Sequence, residues 1–451
     1  MTATRTLAAI RFGYGLPLPA AAPDTADAML ASLAGPDMAA QDWQIDGLAV
    51  IQPKLAQLRE MKGAGRTDPA LMPVYDALLM DIATAQALAE RRTIARALDA
   101  PDGFRERLVA FWADHFTVLS RAKADAMMPY ALVEDAIRPN ISGNFSNLLT
   151  AATLHPAMLT YLDQSQSVGP NSFQGQRQEK GLNENLAREV MELHSLGVGA
   201  GYSQDDVRQM AELLTGVTYD PRHGMRFEPR RAEPGPETVL GMSYGGDGLD
   251  PVRAALGDLG RRAETAGNIA RKLAVHFVSD TPDPDLVKTM AQAFVATDGN
   301  LMAVYTSLLT HPAAWLPAAE KVRQPYDLMV AALRALRLTG ADLMAMQRNL
   351  FRGKIQGGMA EMGQPWKKPK GPDGWAEAAE AWISPQLLAT RITWAMQVPE
   401  LLVPKLPDPV ALMTASLADS AGDALIWAVS KAEDVREGVG LVLASGEFNR
   451  R

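Results

Sequence analysis

The chain has 451 residues, 47% of them apolar and 21% charged, which is enough apolar content for a sizeable core and excludes a disordered chain. Its net charge of -8 argues against a general nucleic-acid or anionic-membrane binder. The absence of cysteine excludes a disulfide scaffold, a thiol nucleophile and any Cys-ligated metal centre.

At the N-terminus, the apolar run Leu7 to Ile10 is shorter than a signal-peptide core of about 7–15 residues. No stretch approaches the ~18 apolar residues of a membrane span. These features predict a cytoplasmic protein with no membrane span. Helical periodicity dominates the rest. It predicts helices over 79–98, 104–119, 125–138, 145–153, 184–196 and 204–215, and again over 264–277, 284–296, 301–309, 322–337, 384–397 and 408–418. In the second of these, Leu108, Phe111, Trp112, His115 and Leu119 share one apolar face with Phe104, while Asp114 falls on another side. Ser203 before Gln204-Asp205-Asp206 is an N-cap followed by acids where the helix dipole favours them.

Residues 217–242 break the pattern. Val217-Thr218-Tyr219, Met225-Arg226-Phe227 and Thr238-Val239-Leu240 are short strand-like runs separated by Pro, Gly and charge. The expected fold is therefore mostly α: one large multi-helix, bundle-like domain over 1–451 with a small β insertion. Two long polar stretches, 163–182 and the Gly/Pro-rich 351–375, read as loops of the kind that form lids or binding segments. A weak repeat also emerges. Asn144 through His155-Pro156-Ala157 aligns without gaps to Asn300 through His311-Pro312-Ala313, with Leu443 to Phe448 as a degraded third copy. Each unit is a helix, a sharp stop and a new helix with Pro at its first position.

The densest polar cluster is Asn183-Glu184-Asn185 with Arg188, Glu189, Glu192 and His194. On a helical projection Glu184, Arg188, Glu192, Asn185 and Glu189 share one side, and His194 lies in the apolar arc opposite. That side reads as a cleft wall with Glu189 or Glu192 as acid or base, or as an ordinary i,i+4 charge ladder. His115 reads as a base pointing into a pocket or as a hydrogen-bonded core histidine. His155 and His311 occupy the same pre-proline slot, which suggests capping. His223 and His276 read as structural. No pair of histidines has metal-ligand spacing, and no metal site is assigned. Phosphate-loop, dinucleotide-fingerprint and nucleophile-elbow motifs are absent, so no cofactor is assigned. The 351–375 stretch carries Lys367 and other basic residues beside Trp366 and Trp375. It reads as a lid over an anionic or aromatic ligand, or as a solvated connection.

These motifs bring a family into view. Arg11-Phe12-Gly13-Tyr14-Gly15, Phe111-Trp112 with His115-Phe116, Ile137-Arg138-Pro139 and His155-Pro156-Ala157-Met158 match it. So do Gly181 to Asn185 with Ala187-Arg188-Glu189, Glu192-Leu193-His194, Gly201 to Val207, and Arg271 to Ala274 with His276-Phe277. Tyr161-Leu162-Asp163, Ser167 to Ser172, Leu196-Gly197-Val198, Thr238 to Gly241, Gly363-Gln364-Pro365 and Pro372-Asp373-Gly374-Trp375 match as well. Over nearly its whole length the chain resembles the bacterial domain of unknown function 1800 family. The resemblance implies a helical fold, export in many members, and a partner of the domain of unknown function 1501 family, itself similar to sulfatases and alkaline phosphatases. It assigns no activity. Relatives often carry His where this chain has Ala113 and Asn140, and His-Asp where it has Ala232-Glu233.

Two functions follow as expectations. The first is an enzyme-like cleft for acid/base hydrolysis or group transfer. Its catalytic residues would be Glu189, His115, Arg188 and Glu192, and its substrate-binding residues Asn183, Asn185, Asp163 and Trp366. The second is a non-catalytic accessory protein for the phosphatase- or sulfatase-like partner.

Overall fold

Apolar side chains recur at helical spacing from Ile82 to Leu98, and this stretch forms one long helix, Met72–Asp99. Its middle, Ile82 and Ala89, packs into one buried cluster, and its end, Ile94 to Leu98, packs into another. The first cluster is built from helices between residues 8 and 314; the second gathers Pro325–Ala335 and the helices that follow it. The computed structural model describes residues 3–17, 22–23, 25–64, 68–178, 181–317 and 320–451. Among these the chain is mostly helical, with two two-stranded sheets.

The Arg11-Phe12-Gly13-Tyr14-Gly15 motif crosses between the clusters, with Phe12 in the first and Tyr14 in the second. A Cβ on Gly13 would stand 2.2 Å from the Asp102 carbonyl, so only glycine lets this segment pass.

The internal repeat is a structural one. Asn144 and Asn300 face each other in an antiparallel bridge, with Phe145 N donating to Gly299 O (2.8 Å) and Leu301 N to Gly143 O (2.9 Å). The two helices, Phe145–Thr153 and Leu301–Thr310, thus start back to back. At the far ends the imidazole Nδ1 of His155 accepts from Ala157 N, and that of His311 from Ala313 N. Both histidines cap the helical turn that their proline opens, which accounts for both copies.

Elsewhere the sequence patterns and the structure part. The helix expected over 104–119 ends at His115, where the Thr117 hydroxyl donates to the Asp114 carbonyl and closes the turn. Helices Leu48–Ala64, Asp250–Leu259 and Val435–Ala444 also form where none was expected. The first half of the stretch expected as a loop over 351–375 is helical, Phe351–Gln356 and Gly357–Glu361. Its glycine there serves packing: a Cβ on Gly358 would lie 2.8 Å from the Trp394 ring, whose Nε1 donates to Lys354 O. Only 362–378 is irregular apart from turns. The β insertion is two separate antiparallel hairpins, Val217–Asp220 with Gly224–Phe227 and Glu237–Val239 with Met242–Tyr244.

Candidate functional site

The helix Phe104–His115 ends on two adjacent polar residues that point apart. His115 turns into the first core. Its Nε2 donates to His194 O (3.1 Å), so Nδ1 is left to accept from Lys272 Nζ (3.2 Å). Phe111, Trp112, Phe116 and Phe145 surround the ring. Burial, with Lys272 and His194 adding to it, pushes its pKa well below the usual imidazole range. Both ring nitrogens are occupied, so His115 has no lone pair or proton to offer a ligand.

Asp114 turns the other way, into a cavity of about 170 Å³ at the seam between the two clusters. One side of the cavity comes from Phe116, Val118, Tyr130 and Val133, and the other from Tyr326, Met359, Trp366 and Trp375. The lining is mainly apolar, and the volume suits a small molecule. Most charges in its wall are already matched. Arg96 meets Glu134 in a two-point pair (2.6 and 3.0 Å), and Arg138 meets Glu106 likewise (2.9 and 2.6 Å). Asp327 takes Arg107 at 2.5 Å.

His276 is committed as well. Arg107 Nη2 can only donate, so Nε2 of His276 accepts it (2.9 Å) and Nδ1–H donates to Glu377 Oε1 (2.6 Å). Burial pushes Glu377 up, but His276 and Lys321 outweigh it and hold the carboxyl at about 2. This is a fixed, charged floor that ties the 362–378 segment to both cores.

Two polar groups in the wall remain open to a ligand. The Asp114 carboxylate accepts from Trp375 N (3.0 and 3.1 Å to its two oxygens) and makes no ion pair among the described residues. Burial pushes it up to about 8, Glu377 and Asp373 add to the rise, and the Trp375 hydrogen bond and Lys272 fall short of reversing it. A midpoint of about 8 leaves this carboxyl mostly protonated at neutral pH. Gly374 makes the contact: it has a φ of +79°, and a Cβ there would lie 2.6 Å from Asp114 Oδ2. The other open group is the Lys367 amine, 4.6 Å from the centre of the Tyr130 ring. Burial pulls it down to about 8 against the influence of Glu134 and Glu90.

A model of the family described as "Protein of unknown function (DUF1800)" matches residues 8–450. The chain belongs to this DUF1800 family. No curated protein and no solved structure matches it. Several motifs of this DUF1800 chain have visible physical work. Pro372-Asp373-Gly374-Trp375 clasps Asp114, and Gly363-Gln364-Pro365 anchors the cavity segment, with Gln364 bonded to Gln324 and to Tyr326 N. No described helix is long and apolar enough to cross a membrane.

The residues singled out in the sequence fall into three places. Trp366 lines the seam cavity and donates through Nε1 to the Tyr130 hydroxyl (2.7 Å). His115 lies behind the cavity wall. The rest lie outside the cavity lining, on a partly exposed polar rim of the surface. Arg188 donates to Glu184 and Gln204, both at 3.0 Å, with its side chain 40% exposed. Asn183 donates to Leu162 O and accepts from Asn185 N, fixing the turn into the helix, while Asn185 itself is exposed. Asp163 pairs with Arg121 (2.6 Å). Glu189 is half-buried and raised, first by burial and then by Glu192 and Asp373. Asp373 raises Asp114 as well, so the rim lies beside the loop that covers the cavity.

The helix carrying this rim departs from the ideal projection. Asn185–Glu189 is α-helical and Val190–Ser195 is a π-helical turn, with Leu196 N reaching back five residues to Met191 O (3.0 Å). His194 is buried, as its place in the apolar arc predicts, and its ring nitrogens have no partner among the described residues. Sequence reasoning missed Asp114, His276 and Glu377 as members of one site. The signal that could have found Asp114 was its place between two aromatic pairs of a matching motif.

Proposed function

We propose that the seam cavity is an enzyme-like site that binds a small, largely apolar molecule and acts on it by acid/base chemistry of the hydrolase or group-transfer type. The observation that supports this most strongly is Asp114, a carboxyl on the wall of an apolar cavity with no counter-ion among the described residues, which burial pushes up to about 8. Such a group donates a proton or hydrogen bond at neutral pH and takes it back in a later step. The Trp375 N–H orients it, and Trp366, Phe116 and Met359 supply the apolar surface. His276 and Glu377 act as positioning residues, since their polar atoms are spent on Arg107, Lys321 and each other. Glu189, Glu192 and Arg188, with Asp163, Asn183 and Asn185 behind them, form the charged approach beside the Asp373 loop.

Ligand-observed NMR with single-ring alcohols, amides and carboxylic acids tests this reading. Members of that set bind one saturable site in the native protein, and Asp114→Leu, which deletes the hydrogen-bonding group, weakens them about tenfold, the cost of one charge-free hydrogen bond in an apolar site. Binding that ignores Asp114→Leu and Trp366→Ala, or no binding at all, overturns it.

The second reading, an accessory protein for a phosphatase- or sulfatase-like partner of the domain of unknown function 1501 family, is favoured by apolar side chains left on the C-terminal helices. Leu388 and Ile392 are exposed one turn apart, and Trp427 is 66% exposed. Co-purification with that partner, lost on Trp427→Ser, tests it.

A further inference from the structure

The seam cavity holds one group that proton transfer from Asp114 does not use. Lys367 lines the cavity with its backbone at φ +46°, a left-handed conformation uncommon for a non-glycine residue. Its amine makes no ion pair or hydrogen bond among the described residues and faces the Tyr130 ring. The nearest acids are engaged elsewhere. Both Glu134 oxygens are taken by Arg96, and the two Glu90 oxygens accept from Gln86 and Gln356. An amine in an apolar, aromatic-walled cavity, without a dedicated counter-ion, is the arrangement in which lysine serves as a nucleophile and not as an ion-pair partner.

We propose that Lys367 captures small aldehydes or ketones in the seam cavity as a Schiff base. The neutral amine attacks the carbonyl carbon, a C–N bond forms, and the proton it sheds moves to the carbonyl oxygen to give a carbinolamine. Protonation of that hydroxyl lets the C–O bond break and water leave, and the nitrogen lone pair forms the C=N bond of an iminium. The neutral Asp114 carboxyl, lining the same cavity, is the acid available for the departing oxygen. No oxidant or metal is needed. The amine's pull toward about 8 by burial leaves a reactive fraction at neutral pH. The carbonyl class fits the walls: a short alkyl or single-ring body against Trp366, Tyr130 and Met359.

This inference rests on the cavity being a small-molecule site, and its test is separable from that reading. The full chain is incubated with hexanal, benzaldehyde or pyruvate, reduced with borohydride and mapped by peptide mass spectrometry. Hexanal or benzaldehyde adds one alkyl group at Lys367 at least tenfold faster than at the neighbouring Lys354, Lys368 or Lys370. The label disappears in Lys367→Arg, which keeps a charge over Tyr130, and in Lys367→Met; thermal melting of both variants confirms that they fold. Labelling spread evenly over the lysines, or unchanged in folded Lys367→Arg, overturns the proposal. Alcohols and amides that still bind while Lys367 stays unlabelled would sink the Schiff base alone. Labelling at Lys367 that persists in Asp114→Asn at the native rate would remove Asp114 as the acid and leave the capture standing.

Discussion

The rim on the 185–195 helix and the cavity at the seam are both rich in charge, and they use it in opposite ways. On the rim, Arg188 faces Glu184 and Gln204 at 3.0 Å with water close by, so each charge is half-solvated and loosely held. At the seam, charges are withdrawn from water and matched two-to-two, and the single unmatched acid is shifted to about 8. Charge density along the sequence marks the first region, but chemistry favours the second. A group whose ionisation is displaced by burial can exchange protons near neutral pH, whereas a solvated ladder cannot.

That contrast can be broken or sharpened by mutation. The largest effect belongs to Asp327, buried against Arg107 at 2.5 Å and Arg451 at 3.4 Å. Asp327→Ala strands two buried guanidiniums, and denaturant unfolding should show a loss of about 3–5 kcal/mol. Next is Gly374→Ala, which puts a Cβ into the Asp114 carboxyl at an unfavourable positive φ. It costs about 1–3 kcal/mol and opens the Trp375–Asp114 contact. Trp fluorescence, from Trp375 and Trp366 in particular, reads the opening.

Asp114→Asn comes third and has a signature in pH. The folded carboxyl sits near 8 and the unfolded one near the ordinary 3.8. Between those values the unfolded chain is ionised and the folded chain is not, so the native protein loses stability as pH rises from about 4 to about 8. The variant lacks that slope, so its melting temperature should lie closest to the native one near pH 4 and gain on it steadily as the pH approaches 8. The smallest effect is Arg188→Ala, a partly exposed pair worth less than about 1 kcal/mol. It should leave fragment binding at the seam within about twofold, well inside the tenfold change set for Asp114→Leu. A large loss at Arg188 would return the chemistry to the rim.

Much of the fold was legible because helical periodicity survives in residues that face a core. The helices at 145–153, 284–296 and 301–310 match their apolar spacing, and the repeated His-Pro step carried its own capping chemistry. Of the site, the segment carrying Trp366, Lys367 and Trp375 was legible, because aromatic and basic residues cluster there among glycines and prolines. Asp114 was set aside because it lies off the apolar face of its helix, and that is the geometry that takes it into the cavity. The apolar face turned His115 inward, and the neighbouring side met a loop some 260 positions later in the chain. No projection of one helix contains that contact. His276 and Glu377 failed for the same reason, since their partner atoms come from separate segments. The rim itself follows the regular projection, with Glu184 and Arg188 paired one turn apart, and the π-helical turn begins only after Glu189.

The most direct measurement is the ionisation of Asp114 itself, followed by the carboxyl carbon resonance of ¹³C-labelled aspartate with Asp114→Asn to assign it. A midpoint near 8 is predicted. A midpoint near 4, the value of a solvated aspartate, would mean that the seam holds an ordinary carboxylate and would remove the proton on which the proposed chemistry depends.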